Sequence, residues 1–501
     1  IGMNALNKCT GLTTIEIPNK VTSIGANAFK ECTSLESITI PANVTSIGNA
    51  VFERSGVKEI KFEGGVLDSK ENPLAGVNGA TIYYPLSELN SWGDVTKGTS
   101  YAGATNLKWT GYKYCGEGEN EKKLVCLVMK NDKGTDTYDV EIKRSEGITE
   151  GKFNMKGDGS ATIPEEIKSK VISVKIGDGV GNIGKNIFKG CSALVEVEFS
   201  DSNEVTSIGE GAFNGCTGLT TIEIPNGVTN IGLNVFNGCS ALNEVRFESP
   251  SVIENIGEGA FSGCTSLGSI AIPDKITSIE KEVFNKCTGL TTITIPDGVT
   301  SIGANAFNKC EGLELKKLPS KLKTIGKEAF KDCIGLTEIE IPVGITCIEE
   351  GLFNGCTGLK SIKMPESVTS IGMNAFNKCT GLTTIEIPNK VTSIGANAFK
   401  ECTSLESITI PNEVESIGNA VFERSGVKEI KFEGKYIEGV VNDAFNKLGT
   451  TGDPTVIYYP LGKGWEETTG VVDNQNYAGA TNLKWIGYKY CGDSKINNGK
   501  N

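Results

Sequence analysis

The chain reads as a repeat solenoid, and three observations predict that class. A unit of 23 residues recurs along most of the 501; its clearest copies read L-T-T-I-E-I-P-N-K-V-T-S-I-G-A-N-A-F-K-E-C-T-S, at Leu12–Ser34 and Leu382–Ser404. A Phe followed three residues later by a Cys recurs from Phe188/Cys191 to Phe399/Cys402, and Phe422 closes the series with Ser425 in the Cys place. Within each unit, an apolar alternation of period two precedes a turn and a compact apolar cluster. A fixed period of this length marks stacked coils, each burying its apolar face only against its neighbours.

In L-x-x-I-x-I-P, apolar and polar residues alternate as in a half-buried strand. The copy at Leu219 should point Ile222 and Ile224 inward and leave Thr221 and Glu223 to water. Pro225 lacks an N–H and ends the ladder. V-T-S-I-G then turns the chain, its Val and Ile packing inward and its Gly free to take a positive φ. A-F-x-x-C is expected to set Ala, Phe and Cys on one side of a short helical turn. Each coil offers about seven apolar groups. At roughly 1.5–3 kcal/mol per large buried side chain, one coil cannot offset its ordering entropy, whereas a stack can. About 11 coils at the ~4.8 Å spacing of paired strands predict a rod of roughly 50 Å. One copy is irregular: L-E-L-K-K-L-P at Leu313–Pro319 sets Lys316 where an inward Ile belongs. A local bulge is the expectation, a snorkelling Lys316 stem the alternative.

The I-P…V-T-S-I-G…A-F-x-x-C signature, over residues 1–63 and about 170–434, resembles the BspA-like leucine-rich repeats, also called the Treponema pallidum type, of surface proteins in bacteria and in protists such as Trichomonas. The resemblance implies a right-handed leucine-rich-repeat coil with a parallel β-sheet on one face and irregular or short helical segments on the other. More loosely, it implies a cell-surface or extracellular location and adhesion to host proteins, matrix or other microbes.

A longer period overlies the short one. Residues 1–41 match 371–411 with one change, Leu6 for Phe376; Gly48–Gly64 equals Gly418–Gly434, and Tyr101–Trp109 equals Tyr477–Trp485. A module of about 370 residues is therefore repeated, and the chain starts halfway through a coil. A solenoid cut there exposes core, so both termini are expected to be artificial or to continue. The expected domains are 1–64, the C-terminal part of a repeat block; 65–114, an aromatic C-terminal cap; 115–160, a small β connector domain; 161–434, a solenoid of about 11 coils; 435–490, a second aromatic C-terminal cap; and 491–501, the start of the next connector. All four Trp and all twelve Tyr lie outside the coils. The set Tyr83, Tyr84, Trp92, Trp109, Tyr458, Tyr459, Trp465 and Trp485 suits a cap over the open end of a stack, or else a recognition patch for sugar or protein. Asn442–Lys447, N-D-A-F-N-K, reads as a decayed final coil. In the connector, Lys123–Lys130 and Thr137–Arg144 read as two strands around the turn Asn131–Gly134, fixing the angle between successive solenoids.

The chain has no His, which removes the commonest general base and the commonest zinc ligand. Twelve of the 16 Cys hold the ladder position, counting Cys9 and Cys32. Single Cys one coil apart lack metal-site spacing and run parallel, poorly suited to disulfides; they read as buried reduced thiols acting as small apolar groups. Cys115 and Cys126 flank a hairpin and form a candidate disulfide, Cys491 would pair beyond the end, and Cys347 replaces the Ser of V-T-S-I-G as a loop variant. Glu196, Glu198, Glu223 and Glu244 fall at outward strand positions, an acidic stripe that is either a solvated face or a contact for a basic partner or Ca²⁺. Net charge is −12, which disfavours nucleic acid and anionic membrane, and no apolar run approaches the ~20 residues of a membrane helix. No cofactor or metal is implied. The expected function is a non-enzymatic surface protein mediating adhesion or protein–protein interaction, its partners proteins or glycans on host or microbial surfaces. The alternative is a structural subunit, copies of the module building an extracellular fibre or filament.

Overall fold

The L-x-x-I-x-I segments are strands, stacked one coil on the next in parallel. The computed structural model describes residues 1–65, 71–85, 101–102, 108–117, 123–131, 138–142, 153–154, 163, 168–201, 204–435, 437, 445, 455–465 and 483–488; in 108–117, 123–131 and 153–154, and at 138 and 142, it describes the backbone alone. The chain divides into two units, Ile1–Val228 and Thr229–Asn501. In the second, Ser269–Ala271 pairs with Thr292–Thr294, Glu338–Glu340 with Ser361–Lys363, and Ser407–Ile410 with Glu429–Phe432, all parallel and in register. Ile222 and Ile224 are buried and Thr221 and Glu223 exposed, as the alternation requires.

Each coil carries a second, two-residue parallel ladder at S-I, such as Ser278–Ile279, Ser301–Ile302 and Thr324–Ile325. The Gly that follows does not take a positive φ. It sits where the corners of successive coils touch: a Cβ on Gly303, Gly395 or Gly418 would strike the backbone nitrogen of Lys281, Met373 or Ala396 one coil earlier. The requirement is close approach rather than handedness.

The A-F-x-x-C stretch is not a helical turn either. Successive three-residue turns close it, Ala306 N to Gly303 O, Asn308 N to Asn305 O and Cys310 N to Phe307 O at 3.0–3.3 Å. Between them, Asn305 and Lys309 stand in the left-handed region at φ 55° and 61°. A helix would use every N–H within the coil. Flattened by its left-handed residues, the chain exports alternate N–H groups to the next coil: Glu282 N to Ala304 O, Phe284 N to Ala306 O and Lys286 N to Asn308 O at 2.7–3.0 Å. Those polar groups are satisfied only by a neighbour.

Phe236, Phe261, Phe284, Phe307 and Phe330 form one column, with ring centroids 5.3–5.6 Å apart and planes within 11°. It continues to Phe422 and then to Phe445, 6.0 Å further on, so the decayed motif at Asn442–Lys447 keeps its Phe in the stack. The ladder Cys lie beside it as thiols, none of them in a disulfide. They do more than fill space: Cys310 Sγ donates to Phe284 O at 3.1 Å, while Cys287 N donates to that same oxygen at 3.1 Å.

The irregular copy keeps its count. Lys317 bridges Glu340 in the normal register, yet no strand forms at Leu313–Pro319. Lys316 and Lys317 are both exposed, Leu315 is half-buried, and Ile293 in the preceding coil is left half-buried. There is no two-against-one bulge: Lys316 stands outside, and the ladder breaks around it.

In the first unit, the aromatic segment does not terminate the sheet. Ser37–Ile40, Glu59–Phe62, Thr81–Pro85 and Lys108–Glu117 run parallel. Lys123–Asn131 then pairs antiparallel to Lys108–Glu117, and Tyr138–Ile142 antiparallel to Lys123–Asn131. Val171–Ile176 and Glu196–Phe199 resume the parallel order. Strands stand at Lys123–Asn131 and Tyr138–Ile142, within one eight-stranded sheet.

Two outcomes follow for stability, measured by urea denaturation of the full chain. Gly303→Ala should cost about 1–3 kcal/mol through forced overlap, while Gly298→Ala, where a Cβ meets only ordinary contacts at 3.7 Å or more, should stay within about 0.5 kcal/mol. Phe307→Ala, in mid-column, should cost about 3–5 kcal/mol.

Candidate interaction surface

Outward side chains of the strands form the face available to a partner. Glu196, Glu198 and Glu223 are exposed there in the first unit. Glu198 meets Lys175 Nζ at 3.5 Å. Glu244, in the second unit, takes Arg246 Nε and Nη2 at 2.6 and 2.9 Å within its own strand. Basic groups therefore interleave with the acidic positions. Opposite charges also bridge successive coils elsewhere: Lys58 to Glu36 at 2.6 Å, Lys363 to Glu340 at 2.7 Å and Lys428 to Glu406 at 3.1 Å. Exposed pairs of this kind stabilise by only about 0–1 kcal/mol each. What they set is the pattern of charge a partner meets.

Depressions among the described residues of the second unit include two on this face. One, of about 670 Å³, opens where the ladder breaks and is lined by Lys316, Glu338, Glu340, Lys363 and Glu386. Lys316 holds Glu338 at 2.9 Å. The Lys363 ammonium, bonded to Glu340, holds that carboxyl below its usual range. The other, of about 290 Å³, is lined by Ser407, Thr409, Glu429, Lys431, Tyr458 and Tyr488.

The aromatic residues divide between faces, because neighbours in a strand point opposite ways. Tyr458 lines the smaller depression. Tyr459 turns the other way, to Trp465 at 6.2 Å and Trp485 at 6.3 Å. Trp465 is buried; its ring packs on Phe432 at 4.8 Å and its Nε1 donates to Gly434 O at 3.2 Å. In the first unit Tyr84 is buried, and Tyr83 donates its hydroxyl to Glu59 Oε1 at 3.2 Å. Trp92 lies outside the described residues. Trp109 pairs with Ile82 through its backbone, and its side chain also lies outside them. Sequence reasoning missed Tyr488, Lys431 and Glu429 as companions of Tyr458; their signal was the outward parity of adjoining strands.

Cys115 and Cys126 lie in antiparallel strands, each skipped at a register shift, Cys115 between Tyr114 and Gly116 and Cys126 between the partners of Lys113 and Tyr114. Their side chains, and all of Cys491, lie outside the described residues. Cys347 sits in the Ser column and accepts a hydrogen bond from Ser370 Oγ at 3.1 Å. Among the described residues, no group of three or more His, Cys, Asp or Glu is placed to hold a metal ion, and no helix is long and apolar enough to cross a membrane.

Burial pushes the Cys287 and Cys402 thiols from 9.0 up to about 12, and raises those of Cys264, Cys310, Cys333 and Cys379 well above 9.0. An unfolded thiol ionises near its ordinary value, whereas these hold their protons. Between pH 9 and 12 the unfolded state therefore binds fewer protons, and stability falls as pH rises. The urea midpoint should decline above pH 9, each such thiol contributing up to about 1.4 kcal/mol per pH unit. Cys287→Ala/Cys402→Ala should show a shallower decline than the parent chain.

The chain matches the family described as BspA type leucine rich repeat region, in six copies, over residues 1–94, 167–250, 246–356 and 323–450. A comparison with curated proteins finds no match. Among solved structures, a leucine-rich repeat protein from Bacteroides ovatus is similar at 24% identity and a TM-score of 0.52, covering 72% of this chain and 98% of that one. A leucine rich cell surface protein from Faecalibacterium prausnitzii is 27% identical, with a TM-score of 0.39 over 61% of this chain and 86% of its own. The pneumococcal vaccine antigen PcpA is 19% identical, with a TM-score of 0.49 over 73% and 98%. With its 23-residue coils, its parallel ladders and that match over more than half its length, the chain belongs to the BspA type leucine-rich repeat family.

Proposed function

We propose that the chain is a non-enzymatic, extracellular or cell-surface interaction protein that adheres to partner molecules through the outward face of its strands. The observation that carries this reading is the strand face itself: side chains at fixed spacing, on a backbone held coil to coil by hydrogen bonds, with opposite charges alternating between neighbours. A face that is ordered before binding loses little entropy when a partner docks. Such a surface suits broad, polar contact, since it offers few of the buried aromatic and Arg anchors that concentrate binding energy. Family membership supports the same reading, and a chain without histidine lacks the commonest catalytic base.

A second reading is favoured by the continuous eight-stranded sheet of the first unit, which carries hydrogen bonding from one repeat block through the connector into the next. A junction made of sheet resists bending, which fits a module used as a segment of an extended fibre.

For adhesion, the full chain should bind saturably to at least one of immobilised fibronectin, collagen, fibrinogen or whole epithelial cells. Lys316→Glu/Lys363→Glu, on the face, should weaken that binding about tenfold while leaving the denaturation midpoint in place. No saturable signal across that panel counts against adhesion. For the fibre, negative-stain images should show end-to-end filaments, and only isolated particles would reject it.

A further inference from the structure

The smaller depression near the end of the second unit has a chemistry that the strands Ser269–Ala271, Thr292–Thr294, Glu338–Glu340 and Ser361–Lys363 lack. Their outward positions are Ser, Ala, Thr, Glu and Lys; here two tyrosines face outward together. Both are half-buried, and Ser407, Thr409, Glu429 and Lys431 surround them. The tyrosines come from adjacent strands, Thr455–Pro460 and Leu483–Tyr488, in a register that pairs Pro460 with Tyr488. The other residues come from the two strands before, where Ser407 pairs with Glu429 and Thr409 with Lys431. Lys431 in turn pairs with Tyr458.

The pocket is held before anything enters it. Tyr488 donates its hydroxyl to Phe432 O at 2.6 Å. Lys431 Nζ lies 5.5 Å from the centre of the Tyr488 ring and bonds Glu433 Oε1 at 3.1 Å. The Tyr488 ring is thereby fixed from two sides. Ser407 and Thr409 supply hydroxyls that both donate and accept, and the Glu429 carboxylate accepts. Ile408, at the floor, is buried.

We propose that this pocket binds a single hexopyranose unit of a neutral glycan. A pyranose has an apolar face of C–H groups, which suits an aromatic ring, and a rim of hydroxyls, which needs donors and acceptors at several angles. The pocket presents both. Its volume of about 290 Å³ lies at the lower edge of the range for small-molecule sites, roughly 300–1,000 Å³, and fits one ring rather than a chain. With Lys431 bonded to Glu433, the Glu429 carboxylate in the lining disfavours an anionic ligand. The same residue types recur in the first unit at Ser37, Thr39, Glu59, Lys61, Tyr83 and Tyr112, in matching register, although there Tyr83 already spends its hydroxyl on Glu59.

The proposal deepens the surface-interaction reading and is tested separately from it. Methyl glycosides of glucose, galactose, mannose and N-acetylglucosamine are offered to the full chain at millimolar concentration and followed by saturation-transfer NMR. At least one should receive saturation on its ring C–H protons. Tyr458→Ala should lower that affinity about tenfold, with Tyr83→Ala smaller in effect and the melting temperature of each unchanged. Should Tyr458→Ala fail to fold, Glu429→Gln on the exposed rim serves instead, with a loss of about threefold or more expected. Absence of transfer to all four sugars overturns the proposal, as does transfer undiminished in the variants, or binding of a decaproline peptide in place of the sugars. Adhesion to matrix or cells persisting alongside such a result removes the sugar site and leaves the surface-interaction reading standing.

Discussion

Every coil depends on the next for its backbone hydrogen bonds. On the turn side, alternate N–H groups leave their own coil for the following one. An orphaned buried N–H costs as much as a lost hydrogen bond, so a coil without its neighbour is penalised in polar as well as apolar terms. The Phe column, the glycine corners and the thiol row are arrangements that keep the coils close enough for those bonds. Phe rings stack at 5.3–5.8 Å along the regular part of the second unit. Gly at the I-G corner lets backbone approach backbone. Ladder Cys such as Cys310 and Cys333 add a second bond to a Phe carbonyl that already accepts one.

Much of this was legible in the residues, and the reasons differ by element. The strand face could be read because alternation of period two has one geometric meaning; Ile222 and Ile224 had only one side to go to. The Phe column could be read from the period alone, even at Phe445, where the coil around it has decayed. The turn side could not from a single copy. A-F-x-x-C has the spacing of a helical turn, and the signal for its left-handed residues lay across copies: the place of Asn305 is Gly at Gly211, Gly259 and Gly351, and that of Lys309 is Gly at Gly215, Gly238 and Gly263, all at positive φ. Gly303 was read for its conformational freedom when its neighbour's backbone was the constraint. That neighbour, Lys281, lies 22 positions away and is invisible to local reasoning.

Lys316 shows the limit from another side. Placing a charge at an inward position forces a choice between moving the backbone and moving the side chain. The chain resolves it by shortening the ladder of one coil to a single bridge, Lys317 to Glu340, with Glu340 N still donating to Lys316 O, while keeping the register. The larger of the two depressions described above lies at this irregular coil, with Lys316 in its lining. The aromatic pairs follow the same logic. Tyr458 and Tyr459 differ by one position, and that alone sends one to the pocket and the other to the tryptophans.

The hydrogen bonds between coils have a direction. Along the turns, an earlier coil donates and a later one accepts, as Phe284 N does to Ala306 O; at the glycine corner the order reverses, Gly303 N reaching back to Ile279 O. A stack built this way is vectorial. Its leading surface offers donors along one rim and acceptors along the other, and its trailing surface offers the complement. A coil of the right length can therefore be copied into the stack head to tail and meet the same donors and acceptors that its neighbours meet.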